Sequence, residues 1–185
     1  MNKKYFSHTL MLIQPYQEKW IEDFKAIKEV LNDALMPLNV TIEHVGSTAV
    51  PELAAKPIID IDIVFDENVD FNDIKKRLEK IGYFHNGNQG IPNREVFKRG
   101  KMLVLHKVLD KIVHHLYVCL TGSEALLRHI LFRDYLIAHA EARVQYQNMK
   151  YNIAQEVHQD RKKYAELKEV VTKDFIDAII ENAKG

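Results

Sequence analysis

Two aspartates, Asp60 and Asp62, interrupt an otherwise apolar run, Ile58-Ile59-Asp60-Ile61-Asp62-Ile63. In an extended chain this alternation puts both carboxylates on one face, about 6.6 Å apart along the backbone. Like charges side by side in a mid-sheet strand cost stability unless a cation offsets them. The spacing suits a divalent ion, Mg or Mn, held between the two carboxylates and a triphosphate, as in-line phosphoryl or nucleotidyl transfer requires. Asp60 and Asp62 are therefore the candidate catalytic and metal-binding pair.

A second candidate lies just upstream, in His44-Val45-Gly46-Ser47-Thr48-Ala49-Val50-Pro51. A strand ending in Gly46-Ser47 allows a tight turn where backbone amides and the Ser47 and Thr48 hydroxyls approach a phosphate with no side chain in the way. Pro51 is placed to open a short helix whose amides would reinforce that anion site. Gly46, Ser47 and Thr48 are thus the expected phosphate cradle, with Lys56 and Arg94 as charge-neutralising contacts. His44 either points into the site or is satisfied locally at a strand end.

These groups need elements to hold them. Trp20, Ile21, Phe24, Ile27, Val30, Leu31 and Leu35 recur at helical spacing, so an amphipathic helix is expected over 14–38, with Pro15 near its start and Pro37 closing it. Strands follow over 40–45 and 58–65, the second with Ile59, Ile61, Ile63 and Phe65 on one face and the aspartates on the other. A helix is expected over 71–81 and a glycine-rich loop over 87–92. Three β-like runs come next, over 94–98, 102–107 and 112–120. From Gly122 to Gly185 there is neither proline nor glycine in between. That stretch reads as three helices divided near Ala140 and Gln159, with Ser123-Glu124 as cap and first turn of the first.

Alternation in the last strand puts His115, Tyr117 and Cys119 on one face. If that strand lies beside the aspartate strand, His115 becomes a candidate third metal ligand, and Ser47, Asp60, Asp62 and His115 line one cleft. Lys56 or Arg94 would stand at its rim, and the C-terminal helices would cover it. The other polar and aromatic clusters read as structure. Arg133 and Asp134 anchor a helix to the sheet, Tyr146, Tyr151 and Tyr164 belong to the core, 159–163 is a solvated face, and Cys119 is a small buried hydrophobe.

Lys plus Arg and Asp plus Glu number 26 each over 185 residues, and 46% of residues are apolar. This is ordinary globular composition, which excludes disorder and any bulk basic field, so nucleic acid is not an expected partner. The length suits one domain over 1–185, with a sheet-containing core over 1–122 and a helical part over 123–185. No run is long and apolar enough to span a bilayer, residues 1–13 lack the features of a signal peptide, and one cysteine builds no disulfide framework. A cytoplasmic protein is expected.

The fuller pattern resembles the GrpB family, an uncharacterised family of the nucleotidyltransferase superfamily. The resemblance is carried by His44-Val45-Gly46-Ser47-Thr48-Ala49-Val50-Pro51, Leu53-Ala54-Ala55-Lys56-Pro57-Ile58-Ile59-Asp60-Ile61, Gly90-Ile91-Pro92-Asn93-Arg94, His115-Leu116-Tyr117-Val118 and Phe132-Arg133-Asp134-Tyr135-Leu136. It also takes in Pro15-Tyr16 with Trp20, and Lys150 and Tyr164. The resemblance implies an α+β fold: a nucleotidyltransferase-like mixed sheet flanked by helices, with a helical C-terminal third. It further implies metal-dependent nucleotidyl transfer from a nucleoside triphosphate. Members of that superfamily commonly complete the metal site with a third carboxylate, which this chain does not present, and Tyr117 stands where the family often has a second histidine. The alternative is a non-catalytic module that binds a nucleotide or other phosphorylated small molecule. Relatives fused to dephospho-coenzyme A kinase link that alternative to coenzyme A biosynthesis.

Overall fold

The computed structural model describes residues 11–100 and 105–184. Helix α1 (Lys19–Leu35) leads into strand β1 (Val40–Val45), a single 3₁₀ turn (Ser47–Ala49) and strand β2 (Ile59–Phe65). Helix α2 (Phe71–Lys80) is followed by β3 (Tyr83–His85), β4 (Arg94–Arg99) and β5 (His114–Leu120), and the chain closes with α3 (Glu124–Ala138), α4 (Ala140–Glu156) and α5 (Arg161–Lys184).

The strands form one mixed sheet in the order β1-β2-β5-β4-β3. Antiparallel pairing sets Val45 opposite Asp60 and Glu43 opposite Asp62, whereas β2 and β5 run parallel with Asp60 beside His115 and Asp62 beside Tyr117. The sheet thus has two different faces. Ile59, Ile61 and Ile63 join Ile42, Leu116, Val118 and Phe97 in a core closed by Trp20, Ile27, Leu31 and Leu35 of α1 and Ile74 and Leu78 of α2. The opposite face carries the aspartates and is covered by α3–α5, whose own core joins Leu136, Tyr146 and Ile179 to Val50 and Leu53 of the loop before β2.

Helix ends depart from the periodic pattern for local reasons. The expected start of α1 at residue 14 fails because Gln14 precedes Pro15 and stays extended, exchanging backbone hydrogen bonds of 2.8 and 2.9 Å with Ala55. Asp70, one residue outside α2, caps it by accepting from the Asn72 amide. Ser123 holds the cap position of α3, but its hydroxyl makes no capping bond.

Pro51 opens no helix. The only turn of helix there precedes it, and Pro51 and Glu52 form an ordinary turn with Glu52 at φ 64°. Strand β3 escaped the reading because three residues are too few to display alternation. Of the run expected over 102–107, residues 102–104 lie outside the described residues, and 105–107 are not strand.

Ile61 is fully buried at the centre of the sheet. Replacing it with alanine should cost about 2–5 kcal/mol, the range for truncating a buried isoleucine. The measurement is the shift of the urea-unfolding midpoint.

Candidate functional site

Gly46 ends β1 at φ 72° and ψ −173°, a region essentially restricted to glycine. A Cβ there would lie 2.4 Å from Asp60 Oδ2, so the turn and the aspartate strand approach closely only because that position has no side chain. Thr48 locks the turn from behind. Its hydroxyl, buried with the rest of the residue, donates to the Ile58 carbonyl at 3.2 Å and lies 3.0 Å from His44 Nε2. Since its one proton goes to the carbonyl, the imidazole is the donor.

His44 shares the face of Ile61 rather than that of the aspartates, and its ring stacks on Phe24 at 4.5 Å between centroids. Burial lowers its pKa to about 4, so it stays a neutral brace. The structure therefore removes His44 from the cleft, while Thr48 stays in the cleft lining with its hydroxyl engaged in holding the turn.

On the other face, Ser47, Lys56, Asp60 and His115 line a cleft of about 470 Å³ with Arg128, His129, Tyr146, Lys150, Tyr164 and Lys168. His115 donates through Nδ1 to Asp60 Oδ1 at 2.8 Å. Asp62, expected to line the cleft, is wholly buried and absent from the lining; its Oδ2 accepts at 2.8 Å from Nδ1 of His129 on α3, and its Oδ1 has no hydrogen-bond partner among the described residues. The aspartate pair is thus held by two imidazoles on either side of Tyr117. Burial, and secondarily the Asp60 charge, push the Tyr117 hydroxyl up to about 12. Among the described residues no carboxylate occupies the corresponding positions of β5, and no three His, Cys, Asp or Glu side chains cluster as a metal cage.

Lysines dominate the remaining wall. Lys150 of α4 is 2% exposed, with Nζ hydrogen-bonded to Ser47 Oγ at 3.1 Å and donating to the Ala54 carbonyl. Lys56 lies 4.4 Å over the Tyr164 ring. Neither has a carboxylate partner among the described residues, and burial lowers the pKa of both. Lys168 is held charged chiefly by Tyr146, then by Tyr164 and Asp60.

Arg94, expected at the rim, is not part of the lining. It faces Cys119, two residues beyond Tyr117 along β5, and its guanidinium caps the Tyr117 ring at 4.9 Å. Arg133 ties α3 to β1 through Glu43 at 2.7 Å and the His44 carbonyl at 2.9 Å. Lys168, Arg128 and His129 carried no local motif. They fall at ordinary helical positions of α3 and α5, and only the docking of those helices on the sheet reveals them.

A sequence profile of the family described as GrpB protein matches residues 11–181. The chain is 34% identical to the UPF0157 protein YqkA of Bacillus subtilis (strain 168), over 91% of this chain and 46% of that one. It therefore spans about half the length of that relative. With the glutamate-rich protein GrpB of Alkalihalophilus pseudofirmus it shares 31% identity over 92% of this chain and 94% of that one.

Among solved structures, the conserved protein GrpB from Enterococcus faecalis superposes with a TM-score of 0.73 at 29% identity, over 92% of this chain and 96% of that chain. The poly(U) polymerase Cid1 in its MgGTP-bound structure gives a TM-score of 0.54 at 14% identity, over 77% of this chain and 44% of that chain. That likeness is one of fold. The expected nucleotidyltransferase-like mixed sheet with flanking helices is the fold observed.

Gly46→Ala should destabilise the protein by about 1–3 kcal/mol through backbone strain alone, and should force Asp60 from its place. Thermal unfolding with near-ultraviolet circular dichroism checks this. A melting temperature unchanged from wild type would contradict the close approach.

Proposed function

The chain belongs to the GrpB family, and from that premise we propose that its cleft binds a nucleoside triphosphate with a divalent cation, Mg or Mn, and serves nucleotidyl transfer to an acceptor. One observation carries the reading: a glycine-serine turn pressed against a carboxylate strand, facing one buried lysine, Lys150, that has no carboxylate partner among the described residues. Burying an ammonium group without a counter-charge is costly, and a bound polyanion removes that cost. Ser47, Lys150, Lys168 and Lys56 would hold and orient the phosphates, while α3–α5 shield them from water.

The carboxylates fit a cation. Asp60 borders the cleft, and the buried Oδ1 of Asp62 lacks a partner that an ion would supply. Magnesium commonly takes only one or two carboxylates, completing its shell with substrate phosphates and water. Bound there, it would neutralise charge on the transferring phosphate. Because the proton on Nδ1 of His115 is engaged with Asp60, we assign His115 to orienting that carboxylate rather than to ligating the ion. The MgGTP-bound structure of the fold relative Cid1 supports the choice of ligand class.

A second reading rests on a specific observation. Tyr117 and His115 occupy the β5 positions beside the aspartates, so among the described residues β5 brings no third carboxylate to the pair. A module that binds a nucleotide or other phosphorylated ligand without turnover, in support of coenzyme A biosynthesis, follows from it.

Titration calorimetry with ATP, GTP, CTP and UTP, with and without Mg, tests the first reading. The wild type should bind at least one triphosphate at least about tenfold more tightly with Mg, a difference of about 1.4 kcal/mol, and Asp60→Asn should lose that increment while keeping its melting temperature. Equal affinities in all four combinations would overturn it. Pyrophosphate release then separates transfer from binding alone.

A further inference from the structure

Lys150 carries a consequence of its own. The residue is 2% exposed, and its Nζ has no carboxylate partner among the described residues and touches only neutral oxygens, Ser47 Oγ and the Ala54 carbonyl, beside the Tyr146 ring at 4.7 Å. Lys168 and Lys56 share the cleft and add positive charge. A buried amine in that setting sheds its proton rather than bear the desolvation cost.

Resting on the nucleotide-binding reading above, we propose that Lys150 is the residue that makes the cleft selective for ionised phosphate: it stands neutral in the empty cleft and takes up a proton from solvent as the phosphate binds against Ser47.

The neutral state matches the geometry. With two N–H groups and one lone pair, the amine donates to the Ala54 carbonyl and accepts the Ser47 hydroxyl proton. When a phosphate oxygen arrives, the protonated lysine and the freed Ser47 hydroxyl both turn donors toward it, forming charge-assisted bonds. A neutral or weakly anionic ligand brings too little charge to hold that proton, so it gains none of this binding energy. Burial, reinforced by Lys168, depresses the Lys150 pKa in the same sense, while Lys168 keeps its own proton through Tyr146. Affinity should therefore fall as pH rises, because the bound state holds one more proton than the free state.

The other charged or titratable groups turned toward this cleft are Lys56, Lys168, Tyr146 and Tyr164, with Asp60, His115 and Tyr117 from the sheet and Arg128 and His129 from α3. The two histidines are the competing proton acceptors, and substitution at Lys150 distinguishes them.

The experiment is calorimetric titration of ATP and of inorganic tripolyphosphate at about pH 8, where the terminal phosphate is already ionised. It is repeated in buffers whose own ionisation heats differ. Wild type should take up about one proton per site, read from the slope of observed heat against buffer ionisation heat. Lys150→Arg, which stays charged throughout, should still bind but take up none. Lys150→Met should lose both the uptake and at least about tenfold in affinity. Binding by wild type without uptake, or uptake undiminished in Lys150→Arg, would overturn the proposal and leave the nucleotide-binding reading standing. Failure of wild type to bind either compound would remove that reading, and the proposal with it.

Discussion

Everything on one side of this sheet is arranged around two negative charges placed in its second strand. Strand β2 presents isoleucines to one layer of helices and aspartates to the other, so it cannot be buried symmetrically as a strand of a parallel sheet usually is. The apolar face is closed by α1 and α2. The charged face needs donors, and it receives them from two separate elements: His115 from the neighbouring parallel strand and His129 from α3. Each imidazole spends its Nδ1 proton on one carboxylate. The remaining ring nitrogen is left to the cleft or to solvent.

The turn at Gly46 is the second consequence of that strand. Asp60 lies so close to the end of β1 that no side chain fits between them, which brings the Ser47 hydroxyl onto the same wall as the Asp60 carboxylate. Behind it, Thr48 and a neutral His44 hold the turn against α1. In front, Lys150 binds both Ser47 and the loop before β2, whose Ala54 amide is also held by Gln147 at 2.7 Å. Helix α4 thereby fastens the loop and delivers the Lys150 amine with one set of contacts. Negative charge from the sheet and positive charge from the helices face each other across a small volume, a pattern that suits a metal–polyphosphate ligand carrying both signs.

Much of this was legible in the chain. Strand alternation placed Asp60, Asp62, His115 and Tyr117 on one face, and the parallel β2–β5 register aligns them in pairs. Periodicity located the helices, since amphipathic spacing reports burial directly. What stayed hidden depended on tertiary contact. The pattern left His44 open between the site and local satisfaction at a strand end, and only the register puts it on the α1 face, while Arg94 looked like a phosphate contact although the ring of Tyr117 covers its guanidinium. Lys168 and His129 sit in helices whose sequence shows only helical propensity. Their meaning comes from which way α3 and α5 dock, and single-sequence patterns do not encode that.

The most direct test of the account is a crystal structure of the protein with Mg and a non-hydrolysable ATP analogue. The account predicts phosphate oxygens within about 3 Å of both Ser47 Oγ and Lys150 Nζ, and the cation on Asp60. An analogue bound elsewhere, with Ser47 and Lys150 still hydrogen-bonded to each other, would contradict it.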